Sequence, residues 1–309
     1  STGNELNTWQ IPAWFGATTS RVSMCSGDNK IFVTWSDDPT TVQKLAALDE
    51  NLSLLGSVFS FDSLVSDVNQ IKIEYHGGRV YAALTYYAPV IPPATGNDNR
   101  LYLYAFNNDL TSPTLVYSAQ NNFSPDTYFI QTAADEVSGD LYIAVSSGSA
   151  NLHDSTEVIR KPLANPTLPG TTIGFVRFSS TPETITEFHV YGNDLITNGN
   201  FGYAKMSRSS GLVTSLTTVS NSLSSFGVDA RGRLWSFMYE SNSSKYLVNY
   251  ENNSIVRSLK IAEFPIVYSD FPSIVGFREF IKLQKDGNFG MLYVNGSNEL
   301  AVYKYNSSF

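Results

Sequence analysis

Gly139-Asp-Leu-Tyr-Ile-Ala144 runs from a turn signal straight into an apolar, β-branched strand, and five relatives of it recur along the chain. They are Gly27-Asp-Asn-Lys-Ile-Phe-Val33, Gly77-Gly-Arg-Val-Tyr-Ala82, Gly192-Asn-Asp-Leu-Ile196, Arg231-Gly-Arg-Leu-Trp-Ser236 and Asp286-Gly-Asn-Phe-Gly-Met-Leu292. A two-residue hairpin needs positive φ at its centre, which is why Gly, Asn and Asp gather there. A second hairpin follows each of the first five. Its turns are Asp49-Glu-Asn51, Asn107-Asn-Asp109, Asn165-Pro166, Ser209-Ser-Gly211 and Asn252-Asn253.

Two hairpins in series make one four-stranded meander, and repetition of such a unit is the signature of a β-propeller. The expected fold is therefore all-β: six blades over about 21–61, 67–119, 128–178, 184–220, 224–262 and 277–309 in one domain spanning 1–309. The sixth unit supplies only three strands, Phe280–Gln284, Phe289–Val294 and Glu299–Tyr305. Its fourth strand is expected from Glu5–Trp14, closing the ring, and Pro12 suits an outer edge. A pair of β-sandwiches is the competing architecture.

Val228-Asp-Ala-Arg-Gly-Arg-Leu-Trp235 resembles the D-x-x-G-x-L-W hairpin of the NHL and gluconolactonase-like propellers. The resemblance covers one unit of six and implies the fold. Gluconolactonase-like propellers hold a metal near their central channel, so it also implies a metal-dependent alternative. No family's catalytic residues carry over.

Composition narrows the function. With 20 basic and 28 acidic residues the net charge is −8, which argues against nucleic acid and against a polybasic membrane surface. No apolar run is long enough to span a bilayer as a helix. Cys25 is the only cysteine, so an internal disulfide is excluded. The chain opens on Ser1, as expected of a processed chain or part of a longer one. Charged residues are only 16%, and the 19 Phe and 18 Tyr favour strands. That balance fits an extracellular, cell-surface or virion protein.

In a meander, alternate connections share an end of the sheet. The turns quoted above fall at one end and are tight. At the other end three long links stand out, Thr85–Asn99, Ser146–Thr156 and Ala262–Gly276. Unusually long loops carry function more often than structure. The candidate contact residues there are Tyr86, Tyr87, Asp98, His153, Asp154, Tyr268, Asp270 and Phe271. Exposed aromatics beside polar atoms suit a protein or glycan partner. The same residues would serve equally to pin the loops onto the sheets.

Catalytic residue types are scarce. Of three histidines, His76 adjoins a tight turn, His189 falls in an inner strand, and His153 alone sits in a long loop. No catalytic residue is assigned. Asp37, Asp38, Asp67, Asp98, Asp126, Asp154, Glu183, Glu240 and Asp270 gather at the long-loop end. No cofactor is expected, although calcium would suit such oxygen-rich loops. Sequons occur at Asn51, Asn122, Asn242, Asn252, Asn295 and Asn306. Two readings result: a non-enzymatic recognition or structural module, or a metal-dependent hydrolase or lactonase using channel-facing carboxylates.

Overall fold

The computed structural model describes residues 23–36, 42–65, 68–89, 97–121, 129–146, 156–176, 187–199, 202–218, 223–228, 234–239, 245–251, 254–260, 280–283, 289–294 and 300–305. Apart from one short 3-10 turn, Phe61–Ser63, the regular elements among them are strands. The first sheet is β1 (Ser23–Gly27), β2 (Lys30–Ser36), β3 (Gln43–Leu48) and β4 (Leu54–Ser60). The second is β5 (Val68–His76), β6 (Arg79–Pro89), β7 (Asn97–Asn107) and β8 (Thr114–Asn121). The third is β9 (Phe129–Asp135), β10 (Asp140–Ser146), β11 (Thr156–Pro162) and β12 (Thr171–Val176). The fourth is β13 (Glu187–Tyr191), β14 (Asp194–Gly199), β15 (Gly202–Ser207) and β16 (Val213–Thr218). The fifth is β17 (Leu223–Val228), β18 (Leu234–Tyr239), β19 (Lys245–Glu251) and β20 (Ser254–Lys260). The sixth has three strands, β21 (Phe280–Leu283), β22 (Phe289–Val294) and β23 (Leu300–Tyr305).

Every sheet is ordered as the chain runs, and neighbouring strands pair antiparallel, as in β1–β2, β5–β6 and β13–β14. The chemistry of the turns explains it. Asp28 and Asn29 hold φ of 50° and 58°, and Gly77 and Gly78 hold 54° and 77°. Positive φ at both central residues is what lets a two-residue turn match the twist of its strands. The segment Glu5–Trp14 lies outside the described residues.

One sequence expectation is corrected. Thr85–Asn99 is not loop throughout, because β6 and β7 stay in register as far as Pro89 opposite Asn97. Thr85, Tyr86 and Tyr87 are good strand formers, and Pro89, which has no N–H to donate, marks where the ladder stops. Only 90–96 separates the two strands.

The third and fourth strands slip in register in four of the sheets, at Leu45/Ala47, Leu103/Tyr104, Lys205/Met206 and Asn249/Tyr250. Bulges of this kind increase twist and blunt an outer edge against pairing with other chains.

The chain divides into two compact units, 1–152 with 159–172, and 153–158 with 173–309. In the first unit the second sheet is covered on both faces. One core joins Cys25, Phe32, Leu45 and Ala47 to Ile71, Ile73, Val80, Ala82, Leu84 and Phe106. Phe61 enters it from the 3-10 turn, edge-on to Phe59 and Phe106 at 5.3 and 5.7 Å between ring centres. The other core joins Tyr81, Leu101, Leu103 and Val116 to Ile130, Leu141, Ile143, Val145, Ile159 and Leu163. Successive residues of β6 thus serve opposite cores, as the strand period requires. First strands lie beside first strands: β1 against β5 and β5 against β9 in this unit, β13 against β17 and β17 against β21 in the other.

Candidate functional site

Among the described residues, polar groups at the tight-turn end bond within turns and between them. At the tight-turn end, Asp49 Oδ1 accepts from Asn51 N and Ser53 N at 2.9 and 2.8 Å. Asp109 Oδ1 likewise accepts from Thr111 N and Oγ1 at 3.0 and 2.6 Å. The turns also bond from sheet to sheet. Asn108 Nδ2 donates to Asp28 Oδ2 at 3.1 Å, and Lys30 Nζ donates to the Asn108 carbonyl at 3.0 Å. Hydrogen bonding from Tyr75 and then Asn108 holds the Asp28 carboxyl below its ordinary range. The join repeats one sheet further on. There Gly77 N donates to Glu136 Oε1 at 3.2 Å, Arg79 reaches the Ala164 carbonyl at 3.4 Å, and Leu163 packs against Gly77.

By strand order the opposite end carries the links 37–42, 61–67, 90–96, 122–128, 147–155, 177–186, 200–201, 219–222, 240–244, 261–279 and 295–299. In the second of these, 61–67, Phe61, Leu64 and Val65 pack onto the core. That link is pinned by its apolar residues. Of the residues read as contacts, Tyr86, Tyr87 and Asp98 belong to β6 and β7, opposite Arg100, Asn99 and Ala88 respectively. His153, Asp154, Tyr268, Asp270 and Phe271 lie outside the described residues, as do the other carboxylates named for a metal. Among the sequons, Asn51 is exposed in the β3–β4 turn, and the remaining five lie outside the described residues. His189 is half-buried in β13, opposite Ile196.

A polar row on β5 escaped the sequence reading. Lys72, Glu74 and His76 share one face of the strand, and Gln131 and Thr132 of β9 meet them. Lys72 Nζ lies 3.2 Å from Glu74 Oε1 and also donates to Gln131 Oε1. Thr132 N donates to Glu74 Oε2 at 2.9 Å, and the Thr132 hydroxyl donates to the same oxygen. With its one hydrogen so committed, Thr132 Oγ1 must accept from His76 Nε2, 3.2 Å away. His76 therefore carries a proton on Nε2. Burial works to raise the Glu74 pKa, but the Lys72 charge and the His76 and Thr132 bonds outweigh it and hold the carboxyl well below the usual range.

Alternation of charged and apolar residues in Lys72-Ile-Glu-Tyr-His76 was the available signal. A first strand packed between neighbouring sheets leaves its charged side only partly exposed, which favours partners for it. Which partners is a long-range matter, since Thr132 lies 58 residues from Glu74.

Among the described residues no group of three or more His, Cys, Asp or Glu side chains is placed to hold a metal ion. None of the described helices is long and apolar enough to cross a membrane. No protein-family model matches the chain, and no curated protein matches it.

Proposed function

We propose that the chain is a non-enzymatic recognition or structural module, working outside the cell or on a virion, that engages protein or glycan through the end bearing the long links. One observation carries this reading. Polar groups at the tight-turn end are committed to bonds within and between turns, whereas the unequal links gather at the other end. A surface that must change to fit a partner belongs where change does not break the scaffold.

The scaffold itself we read as a six-bladed propeller, with Glu5–Trp14 as the fourth strand of the sixth sheet. Supporting it are the sequential sheets, the adjacency of first strands and the two-sided burial of the second sheet.

The test is binding of the full chain to a printed glycan array and, by flow cytometry, to intact cells. One variant replaces 90–96 with Asn-Gly and shortens 262–276; a second carries Asn108→Ala at the opposite end. Loss of binding in the first variant with an unchanged melting temperature, and retention in the second, is the expected result. Wild-type binding in the loop variant would remove the proposed surface. Calcium binding by calorimetry together with turnover of a lactone would favour the hydrolase instead.

A further inference from the structure

Two consecutive seams join first strands in the first unit, and their chemistry differs. Between β1 and β5 the join is apolar, with Cys25 and Phe32 meeting Ile71 and Ile73. The bond from Ile73 N to Ser23 Oγ, 3.0 Å, that crosses it is between neutral groups. Between β5 and β9 a polar row turning on one carboxylate runs beside the apolar core that joins the rest of the two sheets. Glu74 takes both hydrogens that Thr132 offers, the charge of Lys72 at 3.2 Å, and His76 Nε2 at 3.6 Å. We infer that the β5–β9 seam is an acid-opened latch hinged on Glu74, which frees β9 from β5 while the apolar core between the two sheets and the β1–β5 seam hold.

The proton balance is simple. A proton from solvent adds to Glu74, its two oxygens cease to be equivalent acceptors, and the Lys72 ammonium and His76 ring lose their shared counter-ion. An unpaired, partly buried charge is costly, so separation of the strands becomes the cheaper state. At the β1–β5 join the nearby carboxylate is Asp28, fully exposed at the β1–β2 turn and outside the apolar contact itself.

Other ionisable groups near the row do not replace Glu74. On β6, Tyr81 stands opposite Glu74, with its hydroxyl pushed up to about 12 by burial, and Arg79 stands opposite His76. Glu136 bonds Gly77 N beyond the end of the strand, and Asp135 of β9 accepts from Val137 N at 3.0 Å. Gln131 and Thr132 do not titrate. Because the folded Glu74 carboxyl is held low, its contribution is complete above the ordinary glutamate value of about 4.3 and is lost as pH falls below it. The latch stays shut in neutral and mildly acidic medium.

Hydrogen exchange read by mass spectrometry, corrected for intrinsic rates, tests this on the full chain at about pH 7 and pH 3. Peptides covering β9 and β5 should lose protection by about tenfold or more in acid, as local opening of a seam requires, while β1 and β2 keep theirs. Glu74→Gln should open β9 already at neutral pH and abolish its acid response. Thr132→Val, which removes one donor and keeps the charge row, should move the opening to higher pH and serves if Glu74→Gln fails to fold. Unchanged protection of β9 in acid, or simultaneous loss over β1 and β9, would overturn the inference.

Discussion

Lys161 sits in β11 with 7% of its surface exposed. Its ammonium donates to the carbonyls of Val116, Pro166 and Leu168 at 2.9, 3.1 and 2.9 Å. Val116 is the residue left over where β8 slips against β7, since Leu103 faces Tyr117 and Tyr104 faces Leu115. One side chain therefore satisfies a bulge in the second sheet and the 163–170 turn of the third. Lys161→Met keeps the apolar stem and deletes all three donors. Each stranded carbonyl costs about 1–3 kcal/mol, offset in part by no longer burying an ammonium, so the net loss is about 2–4 kcal/mol. In thermal unfolding that is a fall of roughly 4–8 °C. The pH dependence supplies a sign. Burial lowers the pKa of Lys161 in the fold, so the unfolded chain holds the proton longer. Stability from this group then rises with pH until the free-lysine value of about 10.4 is passed. The gap between wild type and Lys161→Met should accordingly widen from neutral pH toward pH ~10, followed by urea denaturation. A variant within about 0.5 kcal/mol of wild type, or a gap that closes as pH rises, would refute the reasoning.

Gly27→Ala should destabilise by about 1–3 kcal/mol, because its methyl would overlap the Tyr75 ring, which stacks on Phe32 at 5.5 Å. Urea titration checks it, and Tyr75→Ala in the same chain should remove most of the penalty. In the second unit, Gly211→Ala should cost more than about 2 kcal/mol, since φ there is +69° and the methyl would meet the Ile173 carbonyl oxygen. Nitrogen NMR of the ring should find His76 protonated on Nε2 at neutral pH; an Nδ1–H tautomer would contradict the hydrogen-bond count around Thr132. Deleting residues 1–14 should lower the melting temperature of the whole chain if Glu5–Trp14 completes the sixth sheet, and an unchanged melting curve would dismiss that strand.

Much of the strand order was legible because tight turns constrain sequence strongly. Asp28-Asn29 and Gly77-Gly78 need positive φ at two adjacent positions, and few residue types tolerate it. The extension of β6 past Leu84 was hidden by its composition, as Ala88 and Pro89 read as loop although Tyr86 and Tyr87 still pair with Arg100 and Asn99. The bulges were not legible at all. Whether Val116 or a neighbour is left over depends on how β8 must bend over the third sheet, and Lys161, 45 residues on, is what makes its carbonyl tolerable. A local pattern cannot report a requirement set by another sheet.

The site divides in the same way. Aromatic and polar loops mark themselves in sequence, whereas the Lys72, Glu74 and His76 row acquires its meaning only when Thr132 arrives from another sheet. That contrast also argues for where function resides. Asn108 serves two sheets at once, bonding Asp28 with its amide and Lys30 with its carbonyl, so substituting it disturbs two turns. Glu136 and Arg79 tie the next pair of sheets in the same manner. An end built from such shared residues cannot vary to follow a partner without loosening the scaffold. The links between second and third strands differ in length from sheet to sheet, from 200–201 to 147–155, and the ladders beneath 200–201 and 90–96 keep their pairing. Variation is tolerated there because the strands carry the stability, which is the freedom the proposed recognition surface would use.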